Sequence, residues 1–338
     1  MTTKDDSKVC KNMLLYTRRN IYQGRKQLGV AETKIYPINT GWLEADLGTY
    51  IFWKGPAGKK YWNPVYCHYV DTGEHKILID TGLCDEQRAT LYHHKCEKRG
   101  CLEVHDHLEQ KLGVSCDEID AVIFTHLHWD HVQNMKRFKN ARYIAPKAEI
   151  EMAYNPLPLY YRTYECGILG IEPAYAGCVF EAVEDECEIF PGITMFHTPG
   201  HSVGHMAVTV ATQAGDIVIA GDAIFVERNL EPNPAEKWRY WVPARFVNSF
   251  EGWKSVEEID KRADYVLPCH DEAANARSPV FPYEGMPIRK RRQSIPGFQF
   301  YFGDMPANSA DKISPAMSAE EAELFISSLV DPKDMAEY

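Results

Sequence analysis

Thr125-His126-Leu127-His128-Trp129-Asp130-His131 places three imidazoles and a carboxylate side by side at the end of the apolar run Ala121-Val122-Ile123-Phe124. Packed into a core without a partner, these groups would repel one another when protonated. A divalent cation removes the conflict by using them as ligands. The apolar run reads as a short buried strand, so the ligands fall on the loop at its C-terminal end. That is where open α/β sheets usually build their chemistry. Three more metal-competent side chains end strand-like runs in the same way: His201 after His197-Thr198-Pro199-Gly200, Asp222 after Ile217-Val218-Ile219-Ala220-Gly221, and His270 after Val266-Leu267-Pro268-Cys269. A lone histidine at a strand end is usually a satisfied surface or core residue. Nothing structural asks for His-x-His-x-Asp-His, however, and the repeated pattern implies one common rim. Five histidines and two aspartates can hold two cations, with one carboxylate shared between them.

The elements that must position this rim follow from the hydrophobic pattern. Strands are expected over 35–53, 66–70, 76–79, 141–145, 193–197, 206–211, 217–220 and 265–268, where β-branched and aromatic residues alternate or cluster between Gly and Pro. Helical spacing runs over 85–113 (Leu102, Leu108, Leu112) and stops on Gly113, with a further helix near 147–154. Strand runs alternating with helices predict two sheets covered by helices. The stretch 155–180, rich in Tyr, Pro and Gly without a clean period, reads as a lid or pocket wall inserted into the main domain. Residues 1–34 read as a polar, helical extension. Residues 276–338 read as a Pro- and polar-rich arm with a helical candidate at 319–330, suited to an oligomer contact.

A chain of 338 residues with 45% hydrophobic and 25% charged residues has the balance of an ordinary soluble globular protein. Its net charge of −11 argues against a nucleic-acid partner, and Arg289-Lys290-Arg291-Arg292 is too short a run to reverse that. No apolar stretch approaches the ~18–20 residues that span a bilayer. The opening Met1-Thr2-Thr3-Lys4-Asp5-Asp6 has no hydrophobic signal region. The 10 cysteines form no Cys-x-x-Cys pair and are read as reduced thiols in a reducing cytoplasm.

His126-x-His128-x-Asp130-His131, followed by distant His201, Asp222 and His270, resembles the metallo-β-lactamase fold superfamily over roughly residues 35–275. The resemblance implies an αββα sandwich of two mixed β-sheets flanked by helices. It implies a first metal on His126, His128 and His201, a second on Asp130, His131 and His270, and Asp222 bridging the two. Asp80 matches the family's Asp-x-Gly position, where a carboxylate holds the far nitrogen of a ligating imidazole. His205, in Pro199-Gly200-His201-Ser202-Val203-Gly204-His205, resembles a run seen in many members and is expected to be structural or supporting.

A dinuclear site of this kind supports hydrolysis of an acyl or phosphoryl centre by a metal-bridging hydroxide, with Asp130 accepting or passing the proton. Zinc is the default cation for a His/Asp set; iron, manganese and cobalt also fit. Within the superfamily the chain looks most like the N-acyl homoserine lactonase branch, which implies opening of a lactone or related cyclic ester or amide. Two positions depart from that branch. Phe225 stands where it carries a Tyr, and Gln133 where the motif continues into Gly. Tyr154, Tyr160, Tyr161 and Tyr164 are the candidates to supply the missing hydroxyl. The candidate pocket comprises Trp129, Gln133, Phe225, Tyr160 and Tyr161. Two other readings compete: a glyoxalase II-like thioester hydrolase, which would use basic C-terminal residues for glutathione, and a metal-stabilised interaction scaffold without catalysis.

Overall fold

The computed structural model describes residues 33–288 apart from 234, 235 and 237; the basic run at 289–292 and the helical candidate at 319–330 lie outside the described residues. Twelve strands are described: β1 Lys34–Asp46, β2 Lys60–Asp71, β3 Lys76–Ile79, β4 Cys96–Glu97, β5 Ala121–Ile123, β6 Arg142–Pro146, β7 Phe180–Val183, β8 Cys187–Phe190, β9 Ile193–His197, β10 Met206–Thr212, β11 Gly215–Gly221 and β12 Tyr265–Pro268. They form a seven-stranded sheet in the order β4-β1-β2-β3-β5-β6-β7 and a five-stranded sheet in the order β12-β11-β10-β9-β8. Both sheets are mixed. In the first, β3, β5, β6 and β7 run parallel while β1 and β2 pair antiparallel; in the second, only β11 and β12 are parallel.

Side chains alternate across a strand, and here both faces are apolar because both are covered. Ile77, Ile79 and Ile123 point inward onto Met195, Val208, Ile217 and Leu267 of the second sheet. Leu78 and Val122 point outward onto Val104, Leu108, Phe138 and Ala153. The second sheet turns Val218 and Ala220 outward onto Val256 and Ile259 of the helix Ser249–Arg262. The layers are therefore helix, sheet, sheet, helix, as expected from the sequence. Phe281 returns the chain to the first sheet: it is fully buried in the inter-sheet core and bridges Ile35.

The segment 85–113 departs from the expected single helix. It holds a helix Glu86–Tyr92, the short strand β4 and a helix Val104–His107 that runs into a π turn Leu108–Leu112. Arg99 and Gly100 both take positive φ, +46° and +80°, and consecutive left-handed residues interrupt a right-handed helix. Gly113, at φ +68°, does end the last turn. The nine described cysteines are free. No described helix is long and apolar enough to cross a membrane.

Candidate metal centre

Each candidate ligand leaves the C-terminal end of a strand or the loop between two strands, so both sheets feed one rim. His126 to His131 follow β5, His201 lies between β9 and β10, Asp222 follows β11 and His270 follows β12. Ligand atoms of His126, His128, His201 and Asp222 lie within 4.8 Å of one another, and so do those of Asp130, His131 and His270. Asp222 joins the two groups. Its Oδ2 is 3.2 Å from His201 Nε2, and its Oδ1 is 3.2 Å from His131 Nε2 and 3.1 Å from His270 Nε2. All seven side chains predicted as ligands therefore converge.

The nitrogen each imidazole turns toward the centre is set by the partner held on its other side. His126 Nδ1 sits 3.0 Å from the Thr125 hydroxyl, which itself donates to Asp80 Oδ2 at 2.9 Å. His131 Nδ1 donates to Asp80 Oδ2 at 2.9 Å, His270 Nδ1 to the Pro64 carbonyl at 2.8 Å, and His201 Nδ1 to the Arg245 carbonyl at 3.0 Å. The four Nε2 atoms are left facing inward, and His128 Nδ1 meets His201 Nε2 at 2.9 Å. His126 Nε2, His131 Nε2 and Asp222 Oδ1 are buried without a well-formed hydrogen bond. Buried polar atoms in that state are costly unless something else satisfies them. This donor set suits divalent cations: imidazole nitrogens and carboxylate oxygens, each oriented from behind.

The electrostatics agree. Burial holds His126 and His128 well below the ordinary imidazole range and His201 at about 4, so all three are neutral and available to ligate at pH 7. Burial also opposes a proton on His131, but the carboxylates of Asp222, Asp130 and Asp80 outweigh it and raise its affinity for one. Burial likewise works against the Asp222 carboxylate, yet His270, His131 and His201 together keep its pKa well below the usual range. Cation binding would displace protons from such a cluster, which makes affinity pH-dependent.

Asp80 lies against the far nitrogen of His131. At φ +58° it sits in the left-handed region that Asp tolerates better than most residues. From there it accepts hydrogen bonds from the Thr125 backbone and hydroxyl as well as from His131. His205 is supporting: its ring accepts a bond from the Asp222 amide at 3.1 Å and pairs with the Thr198 hydroxyl at 2.8 Å. Burial holds it neutral, at about 3. Gly221 permits this contact, since a Cβ there would lie 2.5 Å from His205 Nε2.

A cavity of about 270 Å³ opens over the centre, and Trp129, Phe225, Asp130 and Asp222 line it. Phe225 stacks on His270 at 5.1 Å between ring centroids. Gln133, Tyr160 and Tyr161, expected to line the pocket, do not. Gln133 turns away because its Oε1 accepts from the Cys84 and Asp85 amides, at 2.7 and 3.2 Å. Tyr160 packs on the outer core of the first sheet. Tyr154 and Tyr164 are also committed elsewhere, to backbone carbonyls and to Glu149. The insert instead reaches the cavity through Leu159, Arg162 and Thr163, while Tyr50 and Tyr92 supply phenols at its wall.

Several supports carried no sequence signal. Trp129 stacks face to face on His93, with centroids 4.1 Å apart; His93 pairs with Glu165, which Arg88 holds in turn. Glu149 is fully buried and accepts from the amides of Leu127 and Gly204 and from the Tyr164 hydroxyl. It thereby ties the first ligand loop to the loop carrying His201. Burial raises its pKa, and those same bonds counter the rise.

The sequence profile of the metallo-beta-lactamase superfamily matches residues 61–270, and the chain belongs to that superfamily. An N-acyl homoserine lactonase of Bacillus thuringiensis is 27% identical over 230 residues, covering 65% of this chain and 86% of that protein. A probable metallo-hydrolase of Methanocaldococcus jannaschii is 31% identical over 162 residues, covering 48% of this chain and 61% of that protein. The fold is shared with a crystal structure of a B. thuringiensis AiiA variant that has N-decanoyl-L-homoserine bound at its active site. The TM-score is 0.61 at 23% identity, covering 75% of this chain and 99% of the other.

Proposed function

We propose that this chain is a dinuclear metal-dependent hydrolase that opens a lactone or a related cyclic ester or amide. The observation that carries the reading is the convergence of five imidazoles and two carboxylates, with four of the rings held from behind so that Nε2 faces the centre. His126, His128 and His201 would hold one cation, Asp130, His131 and His270 the other, and Asp222 both. Two divalent cations, zinc by default with iron, manganese or cobalt also suited, would polarise the scissile carbonyl and acidify a water molecule.

The protein's own groups supply the remainder. Asp130 faces the cavity with Oδ2 3.8 Å from His270 Nε2, placed to take a proton from the attacking water and return it to the leaving oxygen. Trp129, braced by His93, and Phe225, stacked on His270, wall the reacting centre with apolar surface. Similarity to N-acyl homoserine lactonases supports a lactone as the substrate type.

The test begins with protein purified without added metal, metals per chain counted by elemental analysis, and acid release screened over lactones, thioesters and cyclic amides. Two metals per chain and turnover of a lactone or cyclic amide are expected. Metal-loaded protein that opens no lactone and no cyclic amide would refute the reading, and turnover confined to a glutathione thioester would replace it with thioester hydrolysis.

A further inference from the structure

The wall of the cavity carries two guanidiniums, although the chain as a whole has a net charge of −11. Arg88, Arg142, Arg239, Arg262 and Arg277 each pair with a glutamate or aspartate. Arg162 and Arg245 line the cavity, and neither is within ion-pair distance of a carboxylate among the described residues. The acidic residues lining the cavity are Asp130 and Asp222, both members of the metal centre, whose charge two dications would more than cancel. A neutral substrate would offer these two guanidiniums only carbonyl acceptors, whereas an anionic group would offer a charge-assisted, bidentate partner.

Arg245 is held in place rather than free in solvent. It is half-buried, its Nη2 donates to Thr163 Oγ1 at 3.2 Å, and its guanidinium lies 6.0 Å from the centre of the Tyr160 ring. Its own carbonyl accepts the bond from His201 Nδ1, so the backbone that carries the guanidinium is tied to a proposed ligand. The Thr163 bond uses one of five N–H donors, and a planar fork with donors to spare matches a carboxylate. The cavity volume, about 270 Å³, falls just under the ~300–1,000 Å³ of sites that take drug-sized ligands. The ligand it suits is compact.

We infer that the substrate is a small anion: a cyclic ester or amide bearing a carboxylate, which Arg245, with Arg162, binds while the ring lies over the metal centre. The inference rests on the hydrolase reading above and narrows it. Arg245 is a specificity-determining residue here.

The test uses the full chain, metal-loaded, with two matched substrates. One is a five-membered lactone carrying a carboxylate on the ring carbon next to the ring oxygen; the other is its carboxamide. The acid should be preferred in kcat/KM at low salt, and added salt should shrink the preference. Arg245→Gln should lower kcat/KM for the acid by roughly 10–100-fold, mostly through KM, as expected for loss of a charge-assisted hydrogen bond. Arg245→Lys should recover part of the preference. Equal kcat/KM for acid and amide, or a preference unchanged in both Arg245→Gln and the Arg162→Gln/Arg245→Gln pair, would overturn the inference while leaving a lactonase standing. If neither substrate is opened, the wider lactone and cyclic amide screen decides the lactonase reading, and calorimetry decides the inference separately. Tetrahydrofuran carboxylate should then bind more tightly than its carboxamide to wild type but not to Arg245→Gln; no such difference would end it.

Discussion

Replacing Asp80 by Asn tests whether the metal centre is organised from behind. Asn tolerates φ +58° about as well as Asp, so the backbone needs no rearrangement. One oxygen can still accept from the Thr125 amide at 2.8 Å. The other becomes an NH₂ that faces two donors, the Thr125 hydroxyl and His131 Nδ1–H, both now 2.9 Å from Oδ2. His131 must then shift or move its proton to Nε2, the atom meant to ligate. Loss of one charge-assisted hydrogen bond is worth about 1.5–3 kcal/mol, or roughly 10–100-fold in affinity for the cation held with Asp130 and His270. The first cation should suffer less, because His128 and His201 make no bond to Asp80. The assay is competition for zinc against a chromophoric chelator, with circular dichroism to confirm the fold. Asp80→Asn protein that keeps two metals with affinities within about threefold of wild type would show that His131 is oriented by something else.

Asp222→Ala should lose at least one metal by elemental analysis and nearly all turnover, because one carboxylate reaches both ligand groups; retention of both metals would remove its bridging role. Glu149→Ala strands the Leu127 and Gly204 amides and the Tyr164 hydroxyl. At about 1–3 kcal/mol for each unsatisfied buried group, urea unfolding should register a loss of at least ~3 kcal/mol. A loss under ~1 kcal/mol would mean that water replaces the carboxylate. His68 is buried with Nε2 donating to Asn275 Oδ1 at 2.8 Å, and burial pushes its pKa down to about 4. The unfolded chain, with an imidazole pKa near 6.5, binds a proton that the fold refuses. Stability should therefore fall as pH drops from ~6.5 toward 4, this one group contributing up to about 3 kcal/mol. His68→Gln should flatten that slope in metal-free urea titrations, and an unchanged slope would assign it to other groups.

What could be read in advance was chemical type and local period. The seven candidate ligands were legible because their side chains bind metals and because each ends an apolar strand. β9 and β12 appear at their expected bounds, and β10 and β11 within two residues of theirs. Both signals are local, carried by residues adjacent in the chain. The cavity wall was far less legible. Gln133 looks like a pocket residue until the amides of Cys84 and Asp85, about fifty positions earlier, claim its oxygen. Tyr160 looks like a hydroxyl donor until it packs into the outer core, and Arg245 had no motif at all.

Orientation follows the same division. Residue type made His126, His131, His201 and His270 candidates, but the nitrogen each offers depends on Thr125, Asp80, the Arg245 carbonyl and the Pro64 carbonyl. Three of those four bonds join residues between 44 and 206 positions apart. Such bonds come into being only when the sheets pack, since neither partner's identity encodes the other's position. The reaction type is thus written in the ligands themselves, whereas ligand aim and the charge of the cavity wall arise from contacts between segments that only folding brings together.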